Sequence, residues 1–217
     1  MRLRCLLLGL AGAAMAAAGL ARPIDPPGPT APAPHETSAD VAAPFGLRPG
    51  TTADVFEAMR PRGRPNATGL RLITEPPKKH PAFPQYLVQF GPKTGLCAVK
   101  AIGWRFPGPD GETTRAAFDR IAAPLARRYG DYVRDDRIDP VSEFQTPSQW
   151  VEAIRRGERV YRAEWSVETD ARLPEGLRAI VLEAIAEEGS SGIALTYVFD
   201  NIDRCNHEIK DKDDEAL

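Results

Sequence analysis

The run Gln85-Tyr-Leu-Val-Gln-Phe-Gly-Pro-Lys-Thr-Gly-Leu-Cys-Ala-Val-Lys-Ala-Ile-Gly-Trp-Arg-Phe106 decides the fold class. Tyr86, Val88 and Phe90 alternate with Gln85, Leu87 and Gln89, the two-residue period of a strand with one preferred face. The five residues Gly91-Pro-Lys-Thr-Gly95 make a hairpin loop, and Leu96 to Phe106 returns as a strand rich in Ala, Val and Ile. A hairpin of this kind pairs antiparallel, so the sheet around it is expected to be mostly antiparallel.

On the C-terminal side, Gly-Pro-Asp-Gly-Glu-Thr-Thr (108–114) is a loop with Thr114 as a cap. Phe118, Ile121, Ala122 and Leu125 then recur at the spacing of an amphipathic helix. Pro124 should kink or break that helix, and Gly130 suits the left-handed position that closes it. Asp131, Asp135, Asp136 and Asp139 read as an acidic loop. Thr146-Pro147-Ser-Gln149 combines a cap, a proline at the first helical position and a capping-box glutamine ahead of Trp150, Val151 and Ile154. Gly157 ends this second helix, and Tyr161, Ala163, Trp165 and Val167 alternate as a half-buried strand. Leu177 to Ala186 has helical spacing, yet a Gly-Ser-Ser-Gly loop leads from it into Ile193–Phe199, a plain strand.

On the N-terminal side, Leu70 to Thr74 is a strand, and the prolines at 76, 77, 81 and 84 impose an irregular stretch after it. Phe45-Gly-Leu-Arg-Pro-Gly-Thr-Thr-Ala-Asp-Val-Phe56 reads as a short strand, a glycine turn and a helix start capped by Thr51. The expected fold is therefore α+β, a mostly antiparallel sheet of about six strands with two or three packed helices.

The first 21 residues, MRLRCLLLGLAGAAMAAAGLA, have Arg2 and Arg4 before an apolar stretch and small residues before Arg22. This is the pattern of a secretory signal, cleaved after Ala21 or after Ala18. The stretch is short and half Ala/Gly, which disfavours an uncleaved anchor. Cys5 precedes the apolar run, so it is not placed to carry a lipid. Residues 22–44 hold seven prolines in 23 positions and read as a disordered or semi-rigid linker. The domain is then 45–205, with 206–217 an acidic, frayed tail.

The chain has 217 residues, 28 basic and 30 acidic, so its net charge of −2 gives no case for a nucleic-acid binder. Losing the signal removes two arginines and one of three cysteines. What remains is near −4, with an even pair, Cys97 and Cys205. Export favours their oxidation to a disulfide, with two reduced, buried thiols as the alternative. A bridge closing about 100 residues contributes up to about 4–5 kcal/mol in the chain-entropy picture.

Several segments resemble a family of uncharacterised secreted proteobacterial proteins: Pro44-Phe-Gly-Leu with Gly50-Thr-Thr-Ala-Asp-Val, Gly95-Leu-Cys-Ala-Val-Lys-Ala-Ile-Gly103, Leu125 through Tyr129-Gly130, the Trp150 helix with Glu158-Arg159, and Leu195-Thr-Tyr-Val-Phe-Asp-Asn201 before Cys205. The resemblance implies an exported α+β domain of unassigned activity, in a Gram-negative periplasm or outside the cell, with 178–186 as a strand. The opening Gly-Leu-x-x-Gly-Thr-Thr-x-x-Asp-Val is also similar to the strand–turn–helix start of small outer-membrane assembly lipoproteins. Neither resemblance brings a catalytic residue.

No Gly-x-Ser-x-Gly, dinucleotide fingerprint or phosphate loop occurs in the chain, and no cofactor is expected. Asp203, Cys205, His207 and Glu208 lie close in sequence but lack a second cluster of strong metal ligands. The acidic stretch 131–139 lacks the glycine and terminal glutamate of a calcium loop. Asn66-Ala-Thr68 matches a glycosylation sequon that a bacterial cell leaves idle.

One charge feature points outward. Residues 60–80 carry Arg60, Arg62, Arg64, Arg71, Lys78 and Lys79 against Glu75 alone. Such a segment suits an anionic envelope component or an acidic partner protein. The leading expectation is thus an exported, non-catalytic binding domain, with a periplasmic hydrolase assembled from distant residues and a small-ligand sensor as alternatives. Exposed clustering of Trp104, Trp150, Trp165 and Tyr86 would mark a protein-binding patch.

Overall fold

The computed structural model describes residues 43–63, 69–188 and 190–214, leaving aside the side chains of 104, 105 and 212–214. Its centre is one eight-stranded, wholly antiparallel sheet: β1 (Pro61–Arg62), β2 (Leu70–Ile73), β3 (Gln85–Gly91), β4 (Gly95–Phe106), β5 (Val133–Ile138), β6 (Arg159–Ser166), β7 (Leu177–Glu187) and β8 (Ser190–Phe199). The helices are α1 (Ala53–Ala58), α2 (Glu112–Tyr129), α3 (Trp150–Arg155) and α4 (Ile202–Asp214). The class is α+β as expected, with eight strands where about six were expected and four helices where two or three were.

The strand order β1-β2-β3-β4-β8-β7-β6-β5 has a simple logic. Each half is a helix followed by four strands, with α3 inserted after the first strand of the second half, and the two meanders join edge to edge where β4 meets β8. Ala98 opposes Val198 and Ala101 opposes Leu195 at that seam. A local two-fold between β4 and β8 relates the two connectivities.

Alternation along the strands separates two faces. Tyr86, Val88, Val99, Ala101, Leu195, Tyr197, Ile180, Leu182, Ala163 and Trp165 share one face and form the core. Helix α2 packs on β7 and β8, and α3 on β6 and β7. Phe56 of α1 stacks on Phe90 with ring centroids 4.5 Å apart. Thr114 of α2 is buried and shares a 2.7 Å hydrogen bond with Ser191 of β8. Burying a tryptophan such as Trp165 completely, with its indole N–H donated to the Gly130 carbonyl at 2.9 Å, contributes about 3–5 kcal/mol relative to alanine.

The β3–β4 hairpin falls where alternation put it. So do β2 and β6, within a residue or two at their ends. The 177–187 segment is a strand, although its spacing is helical: it pairs along most of its length with β8 and partly with β6, with Ile180, Leu182 and Ala184 buried on its core face and Val181 and Ile185 half-buried on the other. Phe45 belongs to a tight turn, Pro44–Gly46, with φ of 55°, and not to a strand. Its ring packs edge-on against Phe83, Tyr86 and Tyr197, and that burial holds the unusual backbone.

Helix α1 starts after Thr52, one residue later than expected, because the Thr51 hydroxyl donates instead to the Arg48 carbonyl at 2.7 Å. Helix α2 starts at Glu112, whose amide donates to the Asp110 carboxylate at 3.1 Å, so Thr114 is a core residue and not a cap. Pro124 neither breaks nor ends α2; it lies on the exposed side, where the freed carbonyl one turn back meets water.

Two strands carry little sequence signal. β1 is two residues long, and β5, Val-Arg-Asp-Asp-Arg-Ile, is an edge strand crowded with charge, a common guard against edge-to-edge association. The expected acidic loop is therefore a strand from 133 to 138. The tail expected from 206 onward is instead the continuation of α4 to Asp214. The expected signal (1–21) and most of the linker (22–42) lie outside the described residues.

Candidate functional site

The cation-rich stretch folds into one corner beside the β1 edge. Arg60 has φ of 53° and turns the chain from α1 into β1. The Met59 carbonyl accepts from the amides of Thr74 and Glu75 at 3.3 and 3.2 Å, and the Thr74 hydroxyl donates to the Arg60 carbonyl at 3.4 Å. These bonds bring the 74–80 segment against residues 59 and 60. The Lys78 amide donates to the Phe45 carbonyl at 2.9 Å, which ties the proline stretch to the core.

A cleft of about 420 Å³ opens there, lined by Thr74, Lys79, His80, Pro81, Phe83, Pro84 and Tyr86. The Tyr86 hydroxyl accepts from the His80 amide at 2.7 Å, and His80 Nδ1 accepts from the Ala82 amide at 3.2 Å. The imidazole is thereby fixed, with the ring of Phe83 5.4 Å away. The sequence marks Tyr86 as a strand residue and a candidate patch aromatic, but its place with Thr74 and His80 in a cleft is not legible there, because the prolines hide any period and the cleft forms only when β2 and β3 pair.

The six expected cations do not all serve the corner. Arg71 is turned onto α1, with its guanidinium 5.5 Å over the Phe56 ring, 3.8 Å from Glu57, and donating to the Gly63 carbonyl at 3.2 Å. Lys79 pairs with Glu75 at 3.3 Å, four residues away and exposed, which neutralises part of its charge. Arg60, Arg62 and Lys78 are exposed and make no ion pair among the described residues. Arg64 lies outside them.

A second cavity, of about 340 Å³, sits between the β4–α2 loop, the start of α3 and the β7–β8 turn, with Phe106, Pro109, Val151, Ser148, Glu152 and Ser190 in its wall. Glu152 is held by hydrogen bonds from Arg155 and Arg156, which lower its pKa to about 2. The Ser191 hydroxyl is already bonded to Thr114 and to the Phe106 carbonyl.

Cys97 and Cys205 are both fully buried, with sulfurs 2.10 Å apart and Cα atoms 6.3 Å apart, a disulfide. The ladder explains how a strand residue reaches α4. Gln89 opposes Ala98 and Phe90 opposes Leu96, so Cys97 is one extra residue, a bulge that turns its side chain away from the core. Around the bridge, Asn206 accepts from Gln89 at 2.6 Å, and Glu208 accepts from the amides of Lys93 and Thr94 at 2.9 and 3.1 Å and from the Thr94 hydroxyl. The Thr94 bond, foremost, holds the Glu208 carboxyl below the usual glutamate range.

The same contacts dispose of the other clusters. Asp203 pairs with Arg178 at 2.7 Å, so Asp203, Cys205 and Glu208 each have a different partner. Asp135 and Asp136 are neighbours on β5 and point to opposite faces, the first toward Arg137 and Arg162, the second toward Arg159. Trp150, Trp165 and Tyr86 are 4%, 0% and 2% exposed, so these aromatics build the core and not a surface patch.

No family model, no curated protein and no solved structure matches this chain. Among the described residues, no helix is long and apolar enough to cross a membrane.

Proposed function

We propose that this chain is an exported, non-catalytic binding domain of a bacterial envelope, whose basic corner holds a phosphate-bearing envelope component. The observation that carries this reading is the trio Arg60, Arg62 and Lys78, exposed and without ion pairs among the described residues, beside a cleft edged by Lys79 and His80. Cations left unpaired on a chain of net negative charge are free to meet an external anion. The N-terminal 21 residues and the buried disulfide support export to an oxidising compartment.

Flotation with vesicles containing phosphatidylglycerol tests the partner. Binding is expected to anionic vesicles and not to phosphatidylcholine, falling steeply between about 0.05 and 0.5 M salt. Each cation near an anionic surface contributes about 1 kcal/mol, so R60E/R62E/K78E should weaken binding by more than about 100-fold. Equal binding to neutral vesicles, or a triple variant that binds as before, refutes the reading. N-terminal sequencing of the periplasmic protein tests export, with Gly19 or Arg22 expected as the first residue.

A further inference from the structure

The sheet has a second face. Register places Leu87, Lys100, Thr196, Val181, Glu164 and Val133 in one row across it, and Ile102, Ala194, Glu183, Arg162 and Asp135 in the next. Helix α4 lies against this face at the end near Gln89. The charges on this face are of both signs in equal number, Lys100, Arg162 and Arg137 against Glu183, Glu164 and Asp135. Lys100 reaches past Thr196 to Glu183 at 2.8 Å, and Arg162 lies 3.0 Å from Glu164 and 3.9 Å from Asp135. Between the charges are small or apolar side chains, and Val133 is 57% exposed at the open edge.

We propose that this face is the interface of a symmetric dimer of the chain. A face with three charges of each sign has no net charge with which to select an acidic or a basic partner, and a half-turn can set its cations against its anions. Rotation by a half-turn about an axis along the strands, between β7 and β6, sets Glu183 against the second copy's Arg162. The same rotation sets the Lys100 ammonium against the second copy's Asp135 and brings Val133 over Thr196. Each contact then occurs twice, as an isologous interface requires. The two sheets stack with their strands aligned, the commoner way for sheets to pack. Charges matched in this manner fix register and specificity, while Val133 and Val181 provide the apolar contact.

Sedimentation velocity of the purified chain from about 1 to 200 µM is the test. A monomer–dimer equilibrium is expected in that range, with Thr196→Arg abolishing the dimer and leaving the thermal midpoint unchanged. Lys100→Glu alone and Asp135→Lys alone should each weaken self-association by at least about tenfold, because each sets like charges face to face. Mixing the two variants should restore a dimer. The carboxylate introduced at position 100 of one copy then meets the ammonium introduced at position 135 of the other, and the native pair forms at the second contact. A wild-type chain that stays monomeric throughout, single variants that dimerise as well as wild type, or a mixture that fails to recover overturns the proposal.

Discussion

Glu208 shows how much one side chain does from the middle of α4. Its carboxylate closes the β3–β4 loop by accepting from two amides and a hydroxyl, the service a capping residue gives a helix end. Because its pKa is lowered in the folded protein, first by the Thr94 hydroxyl, its contribution is fully present above the ordinary glutamate range. That contribution is lost as the pH falls through the folded value, below that range. Amide exchange at Lys93 and Thr94 should therefore show protection near pH 7 that falls away as the solution is acidified below the ordinary glutamate range, and Glu208→Ala should lose it throughout. Protection that survives acid would show that backbone bonds alone hold the loop. Tyr197 is the opposite case: burial pushes its phenol well above the usual range, so it should stay neutral wherever the protein is folded.

At the scale of elements, α4 is fastened to the hairpin by the Cys97–Cys205 bridge, whose sulfurs are separated by 108 positions in sequence. Replacing both cysteines by alanine should lower stability by up to about 4–5 kcal/mol. The loss should be read in urea melts, with exchange in α4 rising first. Unchanged stability would mean that Glu208, Asn206 and the Arg178–Asp203 pair suffice. The elements that sequence periodicity marks are those with one wetter and one drier face, β3, β6 and α2. The ones it misses have other reasons to exist. β5 is ordered by pairing with β6 and not by its own apolar content, β7 carries apolar residues on both faces, and α4 is held by a bulged cysteine. The basic corner was visible as a run of cations, but which of them are free was not. Arg71 and Glu57 are 14 positions apart, and only folding brings them together.

At the scale of the whole molecule, the first four strands and the last four are built alike and share one seam, β4 against β8. Neither half owns a complete core, because Phe45 near the start packs on Tyr197 near the end. The two halves should therefore melt together: exchange protection in β2–β3 and in β6–β7 should vanish at the same urea concentration. Earlier loss in one half would show two independent units. The seam also imposes an order in time. β8 is the last strand to be made, and it is the one that fills the middle of the sheet. Until it arrives, the chain is a pair of half-sheets with bare inner edges, open to pairing with strangers. A chain so arranged finishes folding late, only once its last strand has been made.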